Sequence, residues 1–180
     1  MDRSQRVGRW LTVALSAVAL AGCATMHVST YLSRGVDLQQ YHTYSWGPAD
    51  ALSTGDPRLD NNRFFDERVR MQVEKQMARH GFEPSTTGTG DVFVHYHASI
   101  TQRIDTMELD PDGNGDAGRR SEVYDAGTLF IDLIDTRTSK LVWRGWAEGT
   151  FDGVIDQQAW MEERIDDAVM RILRKLPRGL

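Results

Sequence analysis

Asp110, Asp112, Asn114 and Asp116 stand at every second position of Asp110-Pro111-Asp112-Gly113-Asn114-Gly115-Asp116. Oxygen donors at loop positions 1, 3 and 5 with glycine at 6 are how a calcium-binding EF-hand loop begins. The pattern then fails, because position 8 is Ala117, position 12 is Ser121 and Glu122 arrives one residue late. Without the bidentate carboxylate the segment reads as a solvated Asp/Gly turn, with a weak calcium site as the alternative. His95 and His97 are two apart in an extended run, so both imidazoles leave the same face of a strand. Such a pair ligates zinc or copper only with a third and usually a fourth ligand, which Asp132 would supply if its strand lay alongside in register. Otherwise the histidines are polar residues on the wet face of a one-sided sheet. Trp143 and Trp146 are an odd number apart, so a regular strand sends them to opposite faces. One belongs to the core. The other joins the histidines on the open face, where an indole can stack on a sugar ring. Asp132, Trp143 and Trp146 are the ligand-face candidates.

These residues need a scaffold, and its elements follow from periodicity. Extended stretches are expected at residues 27–32 and 41–46. Asn61 or Asn62 can cap a helix in which Phe65, Val69, Val73 and Met77 recur every four residues and Gly81 stops the run. In residues 91–100, Val92, Val94, Tyr96, Ala98 and Ile100 share one face by the period of two. Residues 127–135 and 140–151 form a hairpin in which Leu129, Ile131 and Leu133 point to the core. The last helix, expected at 157–176, carries the stripe of Ile165, Ala168, Val169, Ile172, Leu173 and Leu176, and Pro177 ends it. Strands joined by short loops predict an antiparallel sheet with both amphipathic helices on one face, a two-layer α+β sandwich.

The only cysteine of the chain is Cys23, in Leu20-Ala21-Gly22-Cys23. Ahead of it lie Arg3, Arg6 and Arg9 and an apolar run over residues 10–20, the makings of a secretory signal peptide too short to span a membrane. The arrangement resembles the lipobox of bacterial lipoproteins, which implies cleavage before Cys23 and acylation of its thiol and new amine. Each buried CH₂ contributes ~0.8 kcal/mol, so two or three chains hold a protein on a bilayer. Residues 1–22 are thus expected to be the signal and residues 23–180 a single domain. Ala24 stands where an Asp would retain an enterobacterial lipoprotein at the inner membrane, which favours the periplasmic face of the outer membrane. The tether to the first strand spans at most ~20 Å.

The 180 residues carry a formal net charge of −5, and no dense Lys/Arg run follows Arg9. An acidic domain without a basic stripe is poorly suited to nucleic acid or to anionic lipid. The chain lacks a Gly-x-Ser-x-Gly elbow and a Gly-x-x-x-x-Gly-Lys loop, and an acylated Cys23 would not serve as a nucleophile.

Tyr41-His42-Thr43-Tyr44-Ser45-Trp46, Arg79-His80-Gly81-Phe82, Asp91-Val92-Phe93-Val94, the stretch from Gly127 to Asp135, and Leu141-Val142-Trp143-Arg144-Gly145 resemble in order and spacing the bacterial lipoproteins that carry domain of unknown function 4136. The resemblance implies a lipid-anchored periplasmic α+β domain and assigns neither catalytic residues nor a cofactor. The expectation is a non-enzymatic envelope module that binds or braces an envelope protein or glycan. A metal- or glycan-binding domain using the open sheet face is the alternative, and a periplasmic hydrolase the third.

Overall fold

Asn62 begins the first helix as its sequence predicts, with Oδ1 accepting the Phe65 N–H at 3.1 Å. The structure, a computed structural model, describes residues 26–47, 59, 62–107, 120–150 and 157–177. The expected signal, Cys23, and Asp110, Asp112, Asn114 and Asp116 lie outside the described residues. The described elements run β1 (Met26–Leu32), β2 (Thr43–Trp46), α1 (Arg63–Arg79), β3 (Glu83–Pro84), β4 (Val92–Met107), β5 (Arg120–Asp135), β6 (Leu141–Thr150) and α2 (Gln158–Leu173), with a short 3-10 turn at Leu38–Gln40.

The fold is α+β, with one six-stranded sheet in the order β1-β6-β5-β4-β2-β3. The sheet is mixed, which corrects the expectation of a purely antiparallel one. β4, β5, β6 and β1 pair antiparallel, but β2 runs parallel to both β4 and β3. The reason lies in the connection: α1 carries the chain between β2 and β4, and a helical crossover returns it in the same direction. β4 and β5 are also longer than their apolar alternation shows, staying paired out to Met107 opposite Arg120.

Period-two alternation decides the core. Val92 and Val94 on β4, Leu129, Ile131 and Leu133 on β5, and Trp143 and Ala147 on β6 are buried together with Val69, Val73 and Met77 of α1 and Ile165, Val169 and Ile172 of α2. Gly145 of β6 lies against Ile172 of α2. A Cβ there would lie 2.5 Å from Ile172 Cγ2 and 2.4 Å from the Trp143 ring, so glycine is what lets helix and indole share the space. Arg68 joins the helices, its guanidinium paired with Asp166 and Glu162. No helix among the described residues is long and apolar enough to cross a membrane.

Candidate functional site

The sheet face opposite the core takes alternate residues of β1, β4, β5 and β6, and register sets them in rows across the strands. His97 lies opposite Phe130, Phe130 opposite Trp146, and Trp146 opposite Ser29. One step along, His95 faces Asp132, Asp132 faces Arg144, and Arg144 faces Tyr31.

The first row is a stack of flat rings. The His97 and Phe130 centroids are 4.4 Å apart with planes 12° from parallel, and Phe130 and Trp146 follow at 6.4 Å and 24°. Neighbouring strands are ~4.8 Å apart, so three rings on adjacent strands form a continuous aromatic strip. All three side chains are half-buried, as they cover one another.

The second row is polar and anchors the first. Arg144 donates from Nε and Nη2 to the two oxygens of Asp132, each at 2.6 Å, and its Cζ stands 5.6 Å from the Phe130 centroid. Asp132 is only 5% exposed, so this bidentate pair satisfies a carboxylate that would otherwise be buried without a counter-charge. The same hydrogen bond makes the Arg144 guanidinium still harder to deprotonate than usual, against a smaller opposing effect of burial.

His95 is placed by Gly47. The Gly47 N–H donates to the Val94 carbonyl at 3.0 Å, and a Cβ on Gly47 would fall 1.9 Å from His95 Nε2. Phe93 meets the His95 ring edge-on at 6.3 Å.

The sequence-predicted ligands are therefore neighbours with other occupations. His95 and Asp132 stand directly opposite, yet both Asp132 oxygens bond Arg144 and His97 stacks on Phe130. Among the described residues no group of three or more His, Cys, Asp and Glu is gathered as a metal site. Trp143 and Trp146 part as the odd spacing requires, with Trp143 1% exposed in the core and Trp146 in the aromatic strip. Sequence reasoning misses Phe130 and Arg144. Their signal was present in the alternation of β5 and β6, but only the register shows that they connect Trp146 to the histidines.

A second feature lies at the end of the core, a cavity of about 40 Å³ lined by Met26, Phe65, Ile100, Leu129, Ile165 and Ala168. It is partly open to solvent and smaller than the ~300–1,000 Å³ usual for small-molecule sites.

Residues 28–178 match a family described as a domain of unknown function, DUF4136. The chain belongs to that family. Within the DUF4136 domain, the stretch from Gly127 to Asp135 is the inner part of β5 and the Leu141–Gly145 stretch opens β6. The same two segments thus place Ile131 and Trp143 in the core and Phe130, Asp132 and Arg144 on the opposite face. No curated protein matches the chain. Its DUF4136 fold is similar to the crystal structure of a PDZ domain protein from Parabacteroides distasonis, with a TM-score of 0.56 at 12% identity over 85% of this chain and 36% of that one. It is also similar to a PelC dodecamer from Paraburkholderia phytofirmans, with a TM-score of 0.47 at 10% identity over 87% of this chain and 100% of that one.

Proposed function

We propose that this DUF4136 chain is a non-enzymatic lipoprotein, held by acylated Cys23 at the periplasmic face of the outer membrane, that binds or braces another envelope component. In this reading the domain is a two-layer α+β sandwich, with the helices on one face of the sheet and the partner on the other. The carrying observation is the His97–Phe130–Trp146 strip, an extended aromatic surface on the face away from the core. Beside the strip, Arg144 holds both oxygens of Asp132, a fixed polar pair next to the aromatic rings. β1 begins at Met26, three residues past Cys23, so the tether would reach only ~10 Å and keep the domain beside its bilayer.

A saccharide chain is the second reading, favoured by flat rings at strand spacing beside a hydrogen-bonding Asp/Arg pair. The test has two arms. Cys23→Ser should release the protein from membranes and abolish palmitate labelling; a labelled, membrane-bound variant overturns the anchor. Phe130→Ala/Trp146→Ala, shown to be folded by circular dichroism, should fail to complement a deletion strain, whereas Lys75→Ala on α1 complements. Full complementation by the folded double variant overturns the binding face. Co-sedimentation of wild type with cell-wall sacculi, lost in the double variant, assigns the partner as glycan.

A further inference from the structure

We propose that β1 is the seam of a homodimer, in which the outer edges of β1 from two copies pair antiparallel and join their sheets. The two edges of the sheet differ. β3 is guarded, being two residues long with Glu83 and Pro84. β1 has seven residues and contains no Asp, Glu, Lys, Arg or Pro, and it pairs with β6 on one side with no strand on the other among the described residues. An uncharged edge of this length, without proline, is a template for another strand.

The backbone phase is fixed by Ser33, whose N–H donates to the Val142 carbonyl at 3.0 Å. Alternation then turns His27, Ser29 and Tyr31 towards β6, and Met26, Val28, Thr30 and Leu32 outward. One antiparallel register pairs all seven residues of two copies. It sets Met26 against Leu32 and Val28 against Thr30 as hydrogen-bonded pairs, all on the helix-bearing side of the sheet. It sets His27 against Tyr31 on the other side and brings the two Ser29 residues together at the two-fold axis. Apolar residues thus meet apolar or neutral ones throughout, and no like charges are opposed. The pairing would cover Tyr31 and Leu32, which are 50% and 43% exposed in the single chain. Because Tyr31 and Ser29 end the two rows described above, the aromatic faces of both copies become one surface. The contact itself is made by the backbone edge, so it stands or falls independently of what that face binds.

Ser29 tests the register. Two residues facing each other at a non-hydrogen-bonded position have Cα atoms ~4.5 Å apart, within disulfide range. Ser29→Cys in the full chain, expressed in cells with an oxidising periplasm, should give a reducible dimer on non-reducing gels, above any band from the wild type with Cys23 alone. Adding Thr30→Pro removes an outward N–H that β6 does not use, and the dimer should fall by ~10-fold, a loss of one power of ten in association. Met26→Lys/Leu32→Lys in the Ser29→Cys background should also abolish it, and Met26→Lys/Leu32→Glu should retain it, which keeps the question decidable if the proline variant unfolds. No more dimer from Ser29→Cys than from Gln39→Cys, or a dimer indifferent to both Thr30→Pro and the lysine pair, overturns the proposal.

Discussion

Tyr41 and Asp135 are 94 positions apart and share a buried hydrogen bond of 2.8 Å, from the phenol to carboxylate Oδ2. The other oxygen of Asp135 accepts the backbone N–H groups of Arg137 and Thr138 at 2.9 and 2.7 Å, which builds the β5–β6 turn. One carboxylate therefore fixes the turn and fastens to it the segment that leads into β2.

Tyr41→Phe should destabilise the fold by ~1.5 kcal/mol, the lower end for a hydrogen bond to a charged group, because Asp135 keeps its turn donors. Burial first, and then the bond to Asp135, push the Tyr41 phenol up to about 12. A raised folded-state pKa gives stability that is complete below the unfolded value and lost as pH climbs through the folded one. Urea midpoints of the wild type should drop between ~10 and ~12, and Tyr41→Phe should flatten part of that drop. An unchanged alkaline profile in the variant would contradict the assignment.

At the acid end the sign reverses. Asp135 is held below the ordinary carboxylate range by the Thr138 N–H and then by Tyr41, and Asp91 by the N–H groups of His42 and Thr43. For Asp66 burial works against ionisation, but hydrogen bonds from Tyr96 and Arg70 outweigh it. Depressed carboxylates contribute stability above their unfolded pKa of ~3.9 that disappears as pH falls through the folded values. Melting temperature should hold near neutrality and decline below pH ~4, with a shallower decline in Asp135→Asn. A melting temperature that rises on acidification would refute this.

Arg144→Ala should cost ~2–4 kcal/mol, reduced from the full buried-pair value because a third of the guanidinium side chain is exposed. Asp132→Leu/Arg144→Met, which removes both charges, should recover most of that loss in chemical denaturation. A double variant as unstable as Arg144→Ala would mean that the pair stabilises the sheet beyond its mutual neutralisation.

Gly47→Ala should destabilise through His95, and His95→Ala should relieve it, so the two changes should couple by ~1 kcal/mol in a double-mutant cycle. Strict additivity would show that the imidazole moves aside freely. Ile131→Ala, 0% exposed, should cost ~2–5 kcal/mol by the cavity it leaves, whereas His97→Ala loses only a ring stack of ~1 kcal/mol.

Local rules make much of this architecture readable. The Asn62 cap, the four-residue recurrence in α1, and the alternation that buries Leu129, Ile131 and Leu133 depend only on near neighbours. The parallel pairing of β2 with β4 does not, because both strands alternate alike whichever way they run, and α1 dictates the direction. β4 reads as ending near Ile100 because Thr101, Gln102 and Arg103 are exposed and polar, although their backbone remains paired with β5. The candidate face was legible in parts: His95, His97 and Trp146 by parity, but Phe130 as their link, and Arg144 as the owner of Asp132, only through cross-strand register.

The pairing of the first strand with the last sets an order of events. Ser33 Oγ donates to the Leu141 carbonyl 108 residues away, and Met26 waits for Gly149. A chain emerging amino end first, from a ribosome or through a narrow pore, cannot dock β1 until nearly all of it has passed. The entropy of closing so long a loop grows only logarithmically, so the delay costs little stability but slows folding. Until then α1 and the β4–β5–β6 meander can form without β1, and β1 is the last strand to join the sheet.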